Sequence, residues 1–369
     1  MVRKGSSKRL GPVGVTALLL LAAGAGGAVY VWVSMARPYK NFPSEGVFVT
    51  VPHGASRRMV SRILKHEGVI RSALVFELYC RRHPRRTLVA GDYFFDRAVT
   101  GREVFDTLAN GRVYVKSVTI PEGYTMAEIA ALLEREGLVS HEEFFAAAQD
   151  TSLVSDLAPR ARNLEGFLFP ATYPFAHHTA PQDAVAAMVR QFREVWTRLS
   201  AETGTSGRSV EEVVTLASLI EKETPQAEER PLVAAVFLNR LQYRRPLQCD
   251  PTVLYALQLA GRSGGPLTTR DLQFDSPYNT YLHTGLPPGP IANPGEASLR
   301  AAAAPAKSDF LYFVANTQGG HFFSRTLAEH NRNVRRYRQL LAQANGTEER
   351  DPEPPPPPPR KRRHRKGAR

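Results

Sequence analysis

The stretch LASLIEKET, residues 216–224, places two acidic side chains at the end of an apolar run, and the organisation of the chain can be worked out from it. Ser209 and Glu212 before it have the spacing of a capping box, in which each residue caps the other at a helix start. We therefore predict a helix from Val210 to about Glu223.

Glu221 lies at the border of the buried face of this predicted helix. At about 100° per residue, the apolar side chains of Val210, Val214 and Ala217 point within about 40° of Glu221, whereas Glu223 points almost the opposite way. Burying an ionised carboxylate is costly, so such a group is usually paired with a cation or carries a proton near neutral pH. A protonated carboxyl is what a general acid requires, and a salt bridge to a nearby arginine is the structural alternative.

The charge of the chain is concentrated at its ends. The formal net charge is +13 over 369 residues, but residues 1–10 and 360–369 contain eleven Lys and Arg and no acidic residue, which leaves +2 for the remainder. A nearly neutral folded part does not indicate a nucleic-acid groove. Cys80 and Cys249 lie far apart without metal-ligand spacing, and they either form one disulfide or are two unrelated thiols. We predict no metal and no cofactor.

Both ends of the chain are expected to differ from the folded part. After the basic residues of segment 1–9, residues 10–36 carry no charge and are long enough to span a bilayer. The basic flank predicts a cytoplasmic N-terminus and an outward-facing remainder. A cleaved signal peptide is the alternative, but the apolar run continues past the alanines that would form its cleavage site. Residues 346–369 combine polyproline with a basic tail and are predicted to be disordered.

A sequence unit occurs twice before the stretch around Glu221. VPHGASRRMVSRILKHEGVI at 51–70 returns as IPEGYTMAEIAALLEREGLV at 120–139, and each copy predicts a strand end, a glycine turn and an amphipathic helix closed by glycine. Between the copies, LVAGDYFF and RVYVKSVTI predict strands, and Thr100 with Glu103 predicts a helix start. We assign residues 45–115 to a small α+β module that resembles the glycan-binding LysM folds, and residues 116–345 to a larger domain. A packing module without its own ligand is the alternative.

The larger domain is predicted to be mainly helical, with long ordered loops. Helices are expected at about 182–201 and over RPLVAAVFLNRLQ, 230–242, and a hairpin at 310–325 is followed by a helix capped by Thr326 and Glu329. The aromatic segment NLEGFLFPATYPF, 163–175, suits a sugar-binding wall beside a carboxylate. Residues 246–298 are rich in Gly and Pro, which predicts a long functional loop.

Several strings together carry a family resemblance that no single one would support. EGFLFPATY, ASLIEKET, VFLNRL, LQCDPTVLY, SPYNTYLHTGLPPGPIANPG, LYFVA and HFFSRTLAEHN occur in this order and resemble the endolytic murein transglycosylases, the MltG or YceG-like family. The likeness covers roughly residues 45–345. It implies a single-pass inner-membrane protein whose periplasmic part consists of a LysM-like subdomain and a catalytic domain. Such a protein would cleave nascent peptidoglycan strands between N-acetylmuramic acid (MurNAc) and N-acetylglucosamine (GlcNAc) and leave 1,6-anhydro ends. It would act beside the peptidoglycan synthases.

The resemblance also implies site residues. It places the catalytic glutamate on the first Glu of EKET, Glu221, and we expect the substrate to contact Glu165, Gln248, Asn279 and Tyr281. Such an enzyme needs no second carboxylate, because the muramoyl C6 hydroxyl attacks within the substrate. Two features depart from the family pattern: a cysteine at position 249, where a hydroxyl residue is expected, and the extension after residue 349.

Two other functions are compatible with the same residues. The first is a membrane-tethered protein that binds peptidoglycan without cleaving it, with a structural Glu221. The second is a hydrolase in which Glu165 or Asp250 supplies a second carboxylate, giving reducing ends instead of anhydro ends.

Overall fold

The computed structural model describes residues 12–204, 207–262 and 264–344. The chain forms two compact units, the first containing residues up to Leu153 together with Pro170–Gln191, and the second containing Val154–Phe169 and the residues from Phe192 onward. The predicted cytoplasmic segment 1–9 and the predicted disordered tail 346–369 lie outside the described residues.

The described chain begins with a long apolar helix. Helix α1 spans Pro12–Ala36, and its part Leu19–Ala36, with a mean hydropathy of 1.7, is long and apolar enough to cross a membrane. Its leucines Leu19, Leu20 and Leu21 are exposed in the protein. Exposed apolar side chains around a helix of this length suit a lipid environment better than water.

The first unit begins, after α1, with the order strand, helix, helix, strand. Strand β1 (Val47–Val51) pairs antiparallel with β2 (Gly91–Phe95), and α2 (Arg57–His66) and α3 (Ala73–Arg82) lie between them in sequence. Helix α4 (Gly101–Ala109) follows and starts with the predicted capping box of Thr100 and Glu103. One apolar core joins these elements, with Val49, Leu64, Phe76, Tyr93 and Phe105 almost fully buried.

The second copy of the repeat folds in the predicted way. Strand β3 (Val115–Thr119) leads into α5 (Met126–Arg135), and the glycines that turn and close the two copies, Gly54, Gly68, Gly123 and Gly137, all have φ between 68° and 75°. This left-handed backbone is easy for glycine and strained for other residues. Helix α6 (His141–Ala147) follows.

One strand in the first unit was not predicted. Strand β4 (Thr172–Ala176) pairs antiparallel with β3 and includes Pro174 opposite Ser117. The two prolines of the segment masked the strand pattern, although a proline is tolerated at a sheet edge. Helix α7 (Pro181–Thr203) follows and covers the predicted 182–201.

The second unit is built around helix α8 (Val210–Glu223), which has the predicted bounds and the predicted capping box of Ser209 and Glu212. Every residue from Val213 to Ile220 is buried, so the helix is enclosed on all sides. Helices α9 (Arg230–Gln242), α10 (Asp250–Leu259) and α11 (Glu296–Ala303) pack against it.

The prediction of one long loop over residues 246–298 was wrong in part. Residues 250–259 form α10, and α11 begins inside the range at Glu296. Pro251 lies in the first turn of α10, where a proline stabilises a helix start, and Val253, Ala256 and Leu257 are buried behind it. The Gly/Pro-rich composition concealed a helix of only 10 residues.

The second unit ends with a hairpin and a helix, as predicted. Strands β5 (Tyr312–Ala315) and β6 (His321–Ser324) are antiparallel, and α12 (Leu327–Ala344) follows. The backbone N–H of Glu329 donates to Thr326 Oγ1 at 3.2 Å, which confirms the predicted cap. The described chain is thus a mainly helical α+β protein with an apolar N-terminal helix.

Candidate active site

The C-terminal turn of α8 carries two glutamates with different surroundings. The helix ends at Glu223 because Thr224 adopts an extended conformation and Pro225 follows it. Glu221 and Glu223 therefore lie where the enclosed helix meets the loops and helices of the second unit.

Glu221 is part of a buried ion pair. Its Oε1 atom lies 3.0 Å from a guanidinium nitrogen of Arg230, and the two side chains are only 6% and 8% exposed. Its Oε2 atom accepts a hydrogen bond from the backbone N–H of Gly295 at 2.9 Å. Glu221 thereby ties the end of α8 to the starts of α9 and α11. Both oxygens of the Glu221 carboxyl group thus have partners within the protein, which suits an anchor between three helices.

Glu223 has the environment of a proton donor. Burial raises the pKa of its carboxyl, and the charge of Asp250 raises this pKa further. The Cys249 thiol, which bonds to the carboxyl, and the charges of His321 and Arg240 lower the pKa again. A carboxyl whose pKa is raised mainly by burial keeps its proton toward neutral pH, as a general acid must.

The start of α10 is fixed beside Glu223. The backbone N–H of Cys249 donates to Thr280 Oγ1 at 3.0 Å, and Thr252 Oγ1 donates to the Cys249 carbonyl at 2.7 Å. The two threonine hydroxyls are 2.9 Å apart. Burial, together with the nearby Glu223 carboxyl, raises the pKa of the Cys249 thiol well above its usual value. The thiol therefore stays protonated and can donate its hydrogen to Glu223.

Asp250 and Tyr281 form a second polar contact at this place. The Tyr281 hydroxyl donates to Asp250 Oδ1 at 2.5 Å, and burial followed by this bond raises the pKa of the phenol. Tyr281 is half-buried, while Asp250 is exposed. The structure thus brings Tyr281, one of the predicted substrate contacts, close to Glu223 through Asp250.

Gln248, another predicted contact, lies on the same loop. It has a positive φ of 52°, is exposed, and its Oε1 atom accepts a hydrogen bond from Arg240 at 3.2 Å. Arg240 also donates to the carbonyls of Leu247 and Leu311, at 2.8 and 2.7 Å. This arginine therefore holds the loop before α10 against the hairpin.

Asn279 and Glu165, the other two predicted contacts, make hydrogen bonds within the loops of the second unit. Asn279 is fully buried, and its amide donates to the carbonyls of Leu272 and Phe274 at 3.1 and 2.8 Å, so it holds the loop together. Asn279 therefore has a structural role in this loop, and its predicted contact with the substrate stays a prediction.

Glu165 is also buried, at 3% exposure. Tyr255 donates to its Oε2 atom at 3.1 Å, and Asn293 donates to its Oε1 atom at 2.9 Å. Asn293 in turn accepts from the backbone N–H groups of Gly166 and Leu168, at 2.8 and 2.9 Å. This network anchors the proline-rich loop to the aromatic segment, and the predicted contact of Glu165 with the substrate stays a prediction.

A separate cavity of about 350 Å³ lies beside the start of α8. Phe167 and Tyr278 contribute aromatic surface to it, Pro287 and Pro288 contribute aliphatic surface, and Arg162 contributes a cation. The aromatic segment predicted as a sugar-binding wall thus lines a cavity, although through Phe167 rather than through Glu165.

The sequence argument chose Glu221 over Glu223 and did not consider His321 or Arg240, whose charges act on Glu223 in the structure. The helical wheel assumed a single buried stripe, but α8 is buried on all sides from Val213 to Ile220, and the groups that act on the Glu223 carboxyl follow it by 17 or more positions. The sequence signal that could have drawn attention to His321 is the string GGHFF in the hairpin, in which a histidine follows two glycines.

The second unit therefore holds an acid-centred site on a mainly helical α+β scaffold, in a chain that begins with an apolar helix. The chain belongs to the YceG-like family, whose family model matches residues 49–336.

Curated relatives extend the comparison. The chain is 35% identical over 328 residues to the endolytic murein transglycosylase of Bacillus subtilis (strain 168), covering 85% of this chain and 90% of that protein. It is 31% identical over 347 residues to the endolytic murein transglycosylase of Streptococcus pneumoniae (strain D39), covering 86% of this chain and 62% of that longer protein. The crystal structure of a yceG-like protein from Listeria monocytogenes is similar, with a TM-score of 0.54 and 35% identity, over 79% of this chain and 99% of that chain.

Proposed function

We propose that this chain is a membrane-anchored lytic transglycosylase that cleaves peptidoglycan strands internally, between MurNAc and GlcNAc, and leaves 1,6-anhydro-MurNAc ends. Its membership of the YceG-like family and the shared name of its curated relatives support transglycosylase activity. The site at the end of α8 supports the chemistry.

Glu223 is the general acid in this proposal. The observation that carries the assignment is the position of its half-buried side chain, whose carboxyl bonds to the Cys249 thiol at the start of α10 and has a pKa raised by desolvation and by the charge of Asp250. Glu221, which the sequence favoured, is committed to Arg230 and to the backbone of Gly295. We therefore replace Glu221 by Glu223 as the proton donor and give Glu221 an anchoring role.

The reaction needs one proton and no water. The Glu223 carboxyl donates its proton to the glycosidic oxygen, and the bond between that oxygen and C1 of MurNAc breaks with the electron pair leaving on the oxygen. The C6 hydroxyl of the same MurNAc then attacks C1 from within the substrate, and its proton passes to the Glu223 carboxylate. The products are a GlcNAc end with a free hydroxyl and a 1,6-anhydro ring, and Glu223 regains its acid form.

Positive charge that develops at C1 needs an electron-rich partner. The exposed carboxylate of Asp250, oriented by the Tyr281 hydroxyl, is available beside Glu223 for this purpose. In this role Asp250 stabilises charge and Tyr281 positions Asp250, while Gln248 on the same loop offers an amide to sugar hydroxyls.

The apolar helix α1 anchors the chain in this proposal, in the inner membrane with the N-terminus cytoplasmic and the site periplasmic. The basic residues before the helix support this orientation. The β1–α2–α3–β2 arrangement is the LysM-like module that holds the glycan strand. Cleavage at the membrane terminates strand elongation beside the peptidoglycan synthases.

A hydrolase is the second candidate, because Asp250 lies close enough to Glu223 to raise its pKa. In an inverting hydrolase, such a second carboxylate would activate water, and the products would have reducing ends. A protein that only binds glycan would give neither product.

Mass spectrometry of digested glycan strands separates these functions. The proposed enzyme yields fragments ending in 1,6-anhydro-MurNAc, and Glu223→Gln abolishes them while keeping the fold. Glu228→Gln, on an exposed glutamate of the same region, is the matched control and keeps the activity. Reducing ends in place of anhydro ends would reject the transglycosylase, and intact glycan with the folded wild-type protein would reject catalysis.

A further inference from the structure

The C-terminal end of the apolar helix α1 is built into the first unit. Met35 belongs to the apolar core of that unit and is 4% exposed. A Cβ atom added to Gly101, the first residue of α4, would lie 2.9 Å from the Met35 sulfur and 3.0 Å from the Ser34 carbonyl, so α4 packs tightly against α1. Just after the helix, Tyr39 exchanges two backbone hydrogen bonds with Val99, at 2.9 and 3.2 Å. The helix therefore holds the first unit in a fixed position.

This attachment sets which residues meet the lipid headgroups when α1 spans a bilayer. The hydrocarbon core of a bilayer is about 30 Å thick, which is the length of about 20 helical residues. Counted from Pro12, where α1 begins, this length ends beside Trp32. Tryptophan is enriched at the interface between membrane and water. The parts of α3 and α4 that lie beside Trp32 are therefore at the level of the headgroups.

A cavity of about 490 Å³ lies at this level, between α1 and the helices α3 and α4. Its wall on α1 is apolar and includes Ala28, Val31 and Trp32. Its opposite wall carries Arg82 from the end of α3 and Arg102 from the first turn of α4, and the described residues that line the cavity include no carboxylate. The cavity thus combines an apolar wall with a cationic one, as the acyl chains and the phosphate of a lipid require.

The two arginines keep their charges available for a ligand. Both Arg82 and Arg102 are exposed, and neither forms an ion pair within the part of the chain that the structure describes. The acidic residues closest to them in sequence on the same helices are paired with other arginines: Glu77 with Arg81 at 2.6 Å, and Glu103 with Arg97 at 3.6 Å. A phosphate group in the cavity would therefore meet two uncompensated guanidinium groups, which bind phosphate well.

The exposed face of α3 continues the apolar surface outside the cavity. Leu74 and Leu78 are 67% and 48% exposed. With Arg82 they follow one another at intervals of four residues, so the three side chains share one face of the helix. Exposed leucines beside arginines are typical of a helix that lies at the boundary between headgroups and acyl chains. This face of α3 therefore suits contact with a membrane surface.

We propose that the cavity between α1, α3 and α4 binds one anionic phospholipid, with its phosphate on Arg82 and Arg102 and its acyl chains along Ala28 and Val31. The inference rests on the part of the proposed function in which α1 spans a membrane, and it is independent of the chemistry at Glu223. The arginines favour an anionic headgroup, because a zwitterionic lipid carries a cation beside its phosphate. The bound lipid holds the first unit against the membrane surface.

Native mass spectrometry of the full-length protein in a neutral detergent tests this site, with phosphatidylglycerol and phosphatidylcholine as probes. We expect the wild type to bind phosphatidylglycerol with the lower Kd. Each arginine near an anionic lipid surface contributes about a fivefold gain in affinity, so Arg82→Gln with Arg102→Gln should raise the Kd for phosphatidylglycerol about 30-fold. Ala28→Trp, which fills the cavity without changing any charge, should also raise this Kd.

Arg58→Gln with Arg62→Gln is the matched control, because it removes two positive charges from exposed residues of α2 and should leave the Kd unchanged. Free glycerol phosphate, which lacks acyl chains, should not displace the lipid at an equal concentration. Circular dichroism shows that the variants are folded. The proposal is overturned if folded Arg82→Gln with Arg102→Gln binds phosphatidylglycerol as tightly as the control, if the wild type binds both lipids equally, or if glycerol phosphate displaces the lipid.

Failure of the proposed function would be visible separately. Lipid binding by a wild-type protein that makes no anhydro-ended fragments would reject the transglycosylase and keep the lipid site. Anhydro-ended fragments from a wild-type protein that does not prefer phosphatidylglycerol would reject the lipid site and keep the enzyme. A wild-type protein that stays in aqueous solution without detergent or lipid would reject the membrane anchor, and the lipid site with it.

Discussion

The ion pair between Glu221 and Arg230 gives a direct prediction about stability. Both side chains are buried, and Glu221→Gln removes the negative charge while Arg230 remains enclosed. Breaking a buried pair in this way costs about 3–5 kcal/mol, because the arginine keeps its charge in the interior after its carboxylate partner has been removed. For a unit of this size, each kcal/mol corresponds to about 2–4 °C, so we expect Tm to fall by about 6–20 °C.

Thermal unfolding followed by circular dichroism measures this change. Glu228→Gln is the control, because Glu228 is exposed and its replacement should change the unfolding free energy by at most about 0.5 kcal/mol. The double variant Glu221→Leu with Arg230→Met should recover much of the loss, since no charge is then left buried. A Tm for Glu221→Gln equal to that of Glu228→Gln would refute the anchoring role.

Three further predictions concern the same unit. Gly320→Ala should lower Tm, because its Cβ would displace the Glu229 carboxylate oxygen that accepts from the backbone N–H of His321; an unchanged melting curve would contradict this. Glu165→Ala removes two hydrogen bonds to a carboxylate and should destabilise the protein by about 3 kcal/mol, as measured by urea titration. The folded variant should still make anhydro ends. Loss of those ends at full stability would instead indicate that Glu165 is a catalytic carboxylate. Glu223→Gln should be as stable as the wild type below about pH 4 and more stable than the wild type at alkaline pH. The reason is that the pKa of Glu223 is raised in the folded state, so the wild type loses stability as the pH rises through this pKa, whereas glutamine does not titrate. Parallel stability curves over that range would show that Glu223 does not titrate with a raised pKa.

The local signals in the sequence were sufficient for most helices and strands. The cap at Ser209, the glycines of the repeated unit and the hairpin glycines each act over a few residues, and the structure has the corresponding elements there. Strand β4 and helix α10 were missed because prolines occur in both, and a proline is compatible with a sheet edge or a helix start as well as with a loop.

The site was harder to predict, because its surroundings come from distant segments. On a wheel, Glu223 points away from the apolar stripe of its own helix, yet in the structure the Cys249 thiol bonds to its carboxyl, and the charges of Asp250 and His321 act on it. Glu221 looked like the sheltered acid, and its neutralising partner Arg230 lies beyond the end of the helix. Periodicity describes one helix, whereas the charge on a carboxyl depends on everything that surrounds it.

Asn279 and Glu165 illustrate the same limit. Both are polar residues in loops, where binding residues are common, but here they satisfy buried loop backbone and side chains. Tyr281 and Gln248 lie on the loops beside Glu223, so their predicted role as substrate contacts stays a proposal.

The most direct test compares the two glutamates of α8 on the same glycan substrate, with products identified by mass spectrometry at a temperature at which all variants are folded. We expect Glu223→Gln to make no 1,6-anhydro-MurNAc ends and Glu221→Gln to make them at a rate close to the wild type. Anhydro ends at the wild-type rate from Glu223→Gln, or their absence with folded Glu221→Gln, would contradict the assignment of the acid.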